Sequence, residues 1–152
     1  MLVKQPQVRV TMFVDVAPED VYTAFTEPDW LCGFWLAQAD GPLRVGQAVK
    51  WTFMVTGAEA TVTARRMMPS HQIIWDWDDG STVQIDLDPF EDGTAVTLLS
   101  WGFAGSDDEQ MAAALDATEA YSIVLCDLKT LMESGKSAGL TRAKAQLIEA
   151  RQ

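Results

Sequence analysis

The sequence predicts an α+β domain in which a six-stranded antiparallel sheet wraps around one long C-terminal helix. Three observations support this prediction. Apolar and polar residues alternate over residues 8–16 and over most of 47–103, the connections between the alternating runs are short, and apolar residues recur every three or four positions over 106–135. The sheet has an apolar face that must be covered, and only the long helix is large enough to cover it.

The first part of the chain is predicted to form a strand followed by two short helices. Every second residue of 8–16 is apolar, which is typical of a half-buried strand. Pro18 suits the first position of a helix, and the two acids that follow it suit the positive end of the helix dipole. Pro28 ends this helix, and Asp29 is expected to cap a second short helix from Trp30 to Leu36.

Five more strands are expected before the long helix, joined as a meander. The turn at Asp79-Gly80 sets the register of the middle pair. A two-residue loop would pair Trp75 with Gln84, whereas a three-residue loop over residues 79–81 pairs Trp75 with Ile85. We predict the three-residue loop, with Gly80 left-handed, because a shift of one residue would turn every side chain to the wrong face.

The long helix has clear start and stop signals. Ser106 and Glu109 have the spacing of a capping box, and Gly135 favours the left-handed conformation of a helix C-terminus. Thr141 is expected to cap a last helix, Arg142 to Ala150. One apolar stripe of the long helix should face the sheet, and it consists of seven residues: Met111, Leu115, Thr118, Tyr121, Leu125, Leu128 and Met132.

The length and the charge of the chain limit the classes of function. Residues 1–152 fit one domain, with a core at 8–135 and an extra helix within 136–152. The net charge is −11, and residues 76–133 hold 14 acids and only one base. Because contacts with phosphates need Lys and Arg, this balance argues against nucleic acid as a partner.

Other classes are excluded by what the sequence lacks. No apolar stretch approaches the roughly 18 residues of a membrane span. Cys32 and Cys126 lie far apart in apolar segments, so we interpret both as buried thiols, which is typical of a cytoplasmic protein. The single histidine, His71, precedes a strand at a turn, where an exposed side chain is more common than a catalytic one. We therefore predict no catalytic residue, no metal site and no cofactor.

Several motifs, in this order, resemble one known family. Residues 14–28 are similar to its motif "apolar-x-apolar-Ala-Pro-x-x-x-Val-Trp-x-Ala-Leu-Thr-x-Pro", and Phe34-Trp35 stands where the family often has paired Trp. Residues 93–98 and residues 121–135 resemble its later strand and helix motifs. The chain thus resembles the activators of heat-shock protein 90 ATPase, within the START-like (SRPBCC) superfamily. This resemblance implies the helix-grip fold of the birch-pollen allergen, with no shared catalytic residues.

The resemblance implies a cavity between the sheet and the long helix for a small hydrophobic or aromatic molecule. Alternation places four aromatic residues on one sheet face, and two residues of the helix could complete the lining. The alternative is a core filled by these side chains. Phe34 and Trp35 would form either a lid or a plug. The predicted ligand-binding residues are Phe34, Trp35, Trp51, Phe53, Trp75, Trp77, Tyr121 and Leu125.

Buried indole N–H groups need polar partners. The local candidates in the sequence are Thr118, Ser122 and Gln72.

On the opposite sheet face we expect a solvated acidic surface, with Asp76 diagonal to Asp86, that could steer a basic partner. Asp78 and Asp88 belong to the same face.

Two other functions remain open. One is a protein-interaction module that binds a chaperone or another basic protein through the acidic block. The other is an enzyme of the cyclase or hydrolase kind that the superfamily sometimes hosts, for which Tyr121 and Glu119 are the only ionisable candidates on the helix. The oligomeric state, monomer or homodimer, is also open.

Overall fold

The computed structural model describes residues 5–151, which form seven strands and four helices. The strands are β1 (Val8–Val14), β2 (Leu36–Ala39), β3 (Ala48–Phe53), β4 (Glu59–Met68), β5 (Gln72–Trp77), β6 (Thr82–Phe90) and β7 (Gly93–Trp101). The helices are α1 (Pro18–Thr26), α2 (Pro28–Phe34), α3 (Asp107–Ser134) and α4 (Leu140–Ala150). The strands form one antiparallel sheet in the order β1-β7-β6-β5-β4-β3-β2, and α3 packs against it, as the helix-grip fold requires.

The sheet has one strand more than the six that were predicted. The second helix begins at Pro28 and ends at Phe34, so it does not extend to Leu36. Leu36 instead starts β2, which pairs with β3 through Leu36–Phe53 and Ala39–Trp51. Strand β2 has only four residues and its ladder contains an irregularity, so it shows no alternation long enough to recognise.

The predicted register of β5 against β6 is wrong by two residues. Trp75 pairs with Val83, not with Ile85, and Ile73 takes the place opposite Ile85. The loop has three residues, but they are 78–80, because the N–H of Trp77 donates to the Ser81 carbonyl at 2.8 Å. A shift of two positions keeps every side chain on its predicted face. Gly80 has the predicted positive φ, 93°.

Both predicted ends of α3 are confirmed. The Ser106 hydroxyl accepts from the Glu109 N–H at 3.2 Å, the Glu109 carboxylate accepts from the Ser106 N–H at 3.1 Å, and Gly135 closes the helix with φ 79°. The prediction that the first two residues of the apolar stripe face the sheet is wrong, however. Met111 is 52% exposed and Leu115 is 64% exposed. Small residues on the adjacent face, including the buried Ala114, approach the sheet instead.

The C-terminal helix α4 is fixed to α3 by a buried carboxylate. Asp127 is 1% exposed, and its oxygens accept from the Thr130 hydroxyl at 3.0 Å, the Ser137 hydroxyl at 2.6 Å and the Thr141 N–H at 3.2 Å. Thr141 does not cap α4, which follows a left-handed Gly139. The Thr141 hydroxyl donates to the Phe34 carbonyl at 2.7 Å and so connects α4 with α2. None of the described helices combines the length and apolar character needed to cross a membrane.

Strand β7 begins at a point of very close backbone approach. A Cβ on Gly93 would lie 2.8 Å from the Cα of Asp15 and closer still to the Val14 carbonyl oxygen. The neighbouring Thr94 hydroxyl donates to the Val16 carbonyl at 2.7 Å and holds the two segments together. Only glycine fits at position 93 without moving the backbone.

Gly93→Ala is therefore expected to destabilise the protein by about 1–3 kcal/mol, because the added methyl group overpacks the junction of β1 and β7. Gly41→Ala is the matched control, since a Cβ there meets nothing within 4 Å and the glycine φ is not positive. Urea unfolding measures both free energies. An equal effect of the two substitutions would contradict the close-approach argument.

The C-terminal end of α3 is attached to the end of β1 by a charged pair. Lys129 donates to the Phe13 carbonyl at 2.9 Å and to Glu133 at 2.6 Å, and Glu133 also accepts from the Asp15 N–H at 2.9 Å. The hydrogen bonds from Lys129 and Asp15 lower the pKa of Glu133 below its ordinary value. The ionised form of Glu133 is thus the one that favours the fold.

Because the folded pKa of Glu133 is lowered, its contribution is complete above the unfolded pKa and is lost as pH falls through the folded pKa. We expect Glu133→Gln to cost about 1 kcal/mol at neutral pH and clearly less at an acidic pH where the carboxyl of Glu133 is largely protonated. Urea midpoints at the two pH values measure this. Glu59→Gln, which breaks the exposed Lys50–Glu59 pair, is the control and should have almost no effect at either pH.

Candidate functional site

The interior between sheet and helices is filled at its centre by a cluster of aromatic side chains around Trp35. The Trp35 ring centroid lies 5.3 Å from that of Trp51, 5.9 Å from Trp75, 6.2 Å from Trp77 and 6.2 Å from Tyr121. Trp51 and Trp75 are fully buried. Of the two arrangements that the sequence left open, the filled core therefore describes this central region.

All eight predicted ligand-binding residues belong to this one core, but they are not equivalent. Leu125 is 1% exposed, and Phe34 is fully buried with its ring edge-on to Phe25 at 5.7 Å between ring centroids. Trp35 is 5% exposed, so Phe34 and Trp35 plug the end of the sheet and do not form an open lid. Open space remains beside four of the eight: Trp35, Phe53, Trp77 and Tyr121.

The larger space is a solvent-open groove of about 420 Å³, which we call the Trp77 groove. It lies between the first half of α3 and the strand ends around the loop between β5 and β6. Aromatic rings and alanine methyl groups form most of its wall, and carboxylates stand among them. Its lining residues are Phe53, Ala60, Trp77, Asp78, Asp79, Ser81, Phe103, Ala113, Asp116, Ala117 and Tyr121.

A hydrogen bond between two of the aromatic residues organises the groove. The Trp77 indole Nε1–H donates to the Tyr121 hydroxyl at 3.1 Å, which joins β5 to α3. Burial raises the pKa of Tyr121 above its ordinary value, while hydrogen bonds with Trp77 and Ser100 act in the opposite direction. Tyr121 is therefore a neutral phenol at physiological pH, able to donate a hydrogen bond but not to act as a base.

Three carboxylates line the groove. Asp78 accepts from the Thr61 N–H at 2.9 Å, and Asp79 accepts from the Ser81 N–H at 2.8 Å and from the Ser81 hydroxyl at 2.6 Å. Asp116 is exposed on α3. Asp79 is thus fixed by its own turn and Asp78 by the backbone of β4, whereas Asp116 is placed only by its helix.

A second, smaller space of about 160 Å³ opens on the other side of Phe53, and we call it the α4 pocket. Its entrance is bounded by α4 and the loop between β3 and β4, which are joined where the Thr56 N–H donates to the Glu149 carboxylate at 2.6 Å. Lys144 of α4 also pairs with Glu119 of α3. The lining is almost wholly apolar: Trp35, Phe53, Met54, Val55, Ala120, Ile123, Val124, Thr141, Lys144, Ala145 and Ile148.

Two buried indole groups lack the polar partners that the sequence suggested. The Nε1–H groups of Trp51 and Trp75 meet no hydrogen-bond acceptor within the described part of the chain. The three predicted partners are all engaged elsewhere. The hydroxyls of Thr118 and Ser122 donate to carbonyls one turn back in α3, and the Gln72 amide donates to Asp86. That prediction was wrong, because it rested on proximity in the sequence and not on the direction of each side chain.

The acids on the outer sheet face are held by neighbouring side chains. Asp76 is bound by Arg65 and by the Thr82 hydroxyl at 2.8 Å. Partial burial acts to raise the pKa of Asp76, but the hydrogen bonds from Arg65 and Thr82 outweigh it and lower the pKa. Asp86 pairs across the ladder with Gln72, so the two acids are not diagonal neighbours as predicted. His71 lies exposed in the turn between β4 and β5.

Within residues 5–151, no three His, Cys, Asp or Glu side chains come together as a metal site would require. Sequence reasoning missed Phe103, Asp116 and the alanines of the Trp77 groove. One signal for them existed, because Ala117 and Ala113 precede Tyr121 by one and two helical turns and so share its face. The prediction that Asp78 belongs to the outer face of the sheet was wrong, because β5 ends at Trp77 and Asp78 lies in the following loop, where it lines the Trp77 groove.

Residues 15–133 match the family model described as Activator of Hsp90 ATPase homolog 1-like protein. The chain belongs to this family. No curated protein matches the sequence. The match includes α1, α2, the strands from β2 to β7 and nearly all of α3, whereas β1 and α4 lie outside it.

Solved structures of the family's fold resemble the chain closely in shape. A Staphylococcus saprophyticus protein is 24% identical, with a TM-score of 0.77 over 87% of this chain and 95% of its own. The Aha1 dimer of Colwellia psychrerythraea is 19% identical, with a TM-score of 0.74 over 87% and 99%. DynU16, a putative protein of the dynemicin biosynthetic locus, is 16% identical, with a TM-score of 0.76 over 88% and 49%. At these identities the likeness concerns the fold.

The Trp77–Tyr121 hydrogen bond gives a direct test of the groove's organisation. Tyr121→Phe removes the acceptor and should lower the free energy of unfolding by about 1 kcal/mol, because the half-buried indole N–H loses its partner. The other tyrosine, Tyr22→Phe, is the control. The indole N–H signal of Trp77 in NMR spectra should shift and exchange faster in Tyr121→Phe alone. Unchanged exchange would mean that the bond does not persist in solution.

Proposed function

We propose that this member of the family binds a small aromatic molecule in the Trp77 groove. One observation carries the proposal: an open groove of about 420 Å³ whose walls are the rings of Phe53, Trp77, Phe103 and Tyr121. Concave sites with mostly apolar walls and a few polar groups are the common form of small-molecule sites. A ligand there lies between sheet and α3, as the family resemblance implies, but at the mouth of the interior and not at its filled centre.

The energy of binding would come mainly from apolar burial against these rings. Removing apolar surface from water contributes roughly 25 cal/mol per Å², and offset or edge-on aromatic contacts add about 0.5–1.5 kcal/mol. Trp77 is already held by Tyr121 at 3.1 Å, so little freedom is lost when a ligand stacks on it. Tyr121 and Ser81 supply the hydroxyl groups that would orient the ligand.

Neither of the two residues of α3 that the sequence offered for catalysis is suited to act as a base in the groove. Tyr121 stays protonated at neutral pH, because burial raises its pKa. Glu119, the other ionisable candidate from α3, is paired with Lys144 on the surface and does not line the Trp77 groove. Membership of DynU16 in a biosynthetic locus is compatible with a small-molecule role for this fold.

A chaperone-binding role is the second candidate. It is supported by the description of the family and by the 14 acids of residues 76–133, which could attract a basic surface. Part of this charge is neutralised within the protein, since Asp76 pairs with Arg65. We therefore rank the chaperone-binding role below ligand binding.

The Colwellia relative is a dimer, and for this chain we keep both monomer and homodimer. The free thiols of Cys32 and Cys126 suit a cytoplasmic protein.

Filling the groove should abolish binding without unfolding the protein. Ala117 lies one helical turn before Tyr121 and lines the groove, so Ala117→Leu is expected to weaken binding at least about tenfold by occupying the ligand's volume. Ala112→Leu adds the same atoms to an exposed position of α3 outside the groove and serves as the control. Native mass spectrometry and thermal-shift measurements with flavonoids, aromatic polyketides and lipids provide the readout.

The expected result is an adduct and a rise in Tm for the wild type and Ala112→Leu, and neither for Ala117→Leu. If the wild type shows no adduct and no shift with any compound, the groove is not a binding site for these classes. If Ala117→Leu binds as well as the wild type, the ligand occupies another site, of which the α4 pocket is the nearest.

A further inference from the structure

We infer that the Trp77 groove selects aromatic ligands that carry a positive charge, such as N-alkylated nitrogen heterocycles. The inference rests on the proposed function, because it specifies the charge of the ligand that the same groove would take. It depends on two properties of one cavity: the rings that form its walls and the sign of the charges set among them.

The walls of the groove suit a cation. The faces of aromatic rings carry partial negative charge, and a cation within about 6 Å of a ring centroid is attracted to it, most strongly by Trp. Trp77 and Tyr121 stand side by side in the groove, and the centroid of Phe53 lies 5.9 Å from that of Trp77. A flat cationic heterocycle can therefore stack on one ring while its charge stays close to a second.

The charges in the groove point to the same class of ligand. The three ionisable side chains that line it besides Tyr121 are Asp78, Asp79 and Asp116, and no Lys, Arg or His is among its lining residues. None of the three acids forms a salt bridge within residues 5–151. The nearby bases are engaged elsewhere, since Lys50 pairs with Glu59 and Arg65 with Asp76.

The same arrangement disfavours anions. A fatty-acid or aromatic carboxylate would place its charge among three acids, and the walls offer no cation to neutralise it. A neutral aromatic compound would still stack but would gain nothing from the acids. Affinity should thus increase from anion to neutral molecule to cation when shape is held constant.

The α4 pocket provides an internal comparison within the same protein. It also has aromatic walls, from Trp35 and Phe53, but its one charged lining residue is Lys144. None of its lining residues is an acid, so a cation there lacks the carboxylates that line the Trp77 groove. If aromatic walls alone determined binding, the two spaces would not differ in their preference for charge.

The test uses three bicyclic probes of nearly equal shape: N-methylquinolinium, 1-methylnaphthalene and 1-naphthoate. The protein is titrated with each probe at low salt, by calorimetry and by NMR of the Trp77 indole N–H. We expect the cation to bind about tenfold more tightly than the neutral probe, and the anion to bind most weakly. Raising the salt to about 0.5 M should reduce the difference, because Asp116 is exposed to screening ions.

Asp116→Asn separates a specific site from general attraction by an acidic protein. Asp116 is not needed for the turn that Asp79 forms, so its neutral analogue should preserve the groove. The variant should lower the affinity for N-methylquinolinium about threefold and leave that for 1-methylnaphthalene unchanged. Asp88→Asn removes an equal charge from the outer face of the sheet and should leave both affinities unchanged.

The possible failures are distinguishable. Equal affinity for the cation and the neutral probe would overturn the inference and leave the proposed aromatic site intact. Equal weakening by Asp116→Asn and Asp88→Asn would also overturn it, since the attraction would then come from net charge. If none of the probes binds, both the inference and the proposed aromatic site fail.

Discussion

Trp35 is the point at which the short helices, the sheet and the long helix meet. It follows directly after α2, and its ring contacts tryptophans of β3 and β5 as well as Tyr121 of α3. Because three elements distant in sequence pack on one large side chain, the position of each depends on the others. This ring and the tryptophans around it fill the centre of the fold.

Filling the centre has a consequence for where function can arise. Space is left on the two sides of Phe53, as the Trp77 groove and the α4 pocket. The groove is bounded by a hairpin loop and the early turns of α3, and the pocket by α4 and another loop. These are parts of the molecule that can change in sequence without disturbing the packed core. The relatives described above keep the fold at 16–24% identity, and the chemistry of such openings can differ between them.

Signals between residues close in sequence correctly predicted the features that depend only on neighbouring backbone groups. The capping box at Ser106 and the glycine at position 135 define α3 correctly because they act through the nearest backbone groups. The register of β5 and β6 depends on which residues of a turn leave the ladder, and alternation alone cannot distinguish shifts of two. The location of Trp35 and the exposure of Met111 and Leu115 depend on tertiary packing, which no periodicity encodes. The eight predicted site residues do form one core, but which of them border an opening depends on tertiary packing.

The attachment of α4 shows that the boundary of a family and the boundary of a folding unit need not coincide. The family match ends at residue 133, before α4 begins. Yet Asp127, inside the match, is buried and receives two of its hydrogen bonds from Ser137 and Thr141, outside it. A chain shortened at Gly135 would lack these two hydrogen bonds, and the Asp127 carboxylate would become exposed to solvent or remain buried without them. In this protein the segment beyond the family match supplies two hydrogen bonds to a buried carboxylate of the matched region.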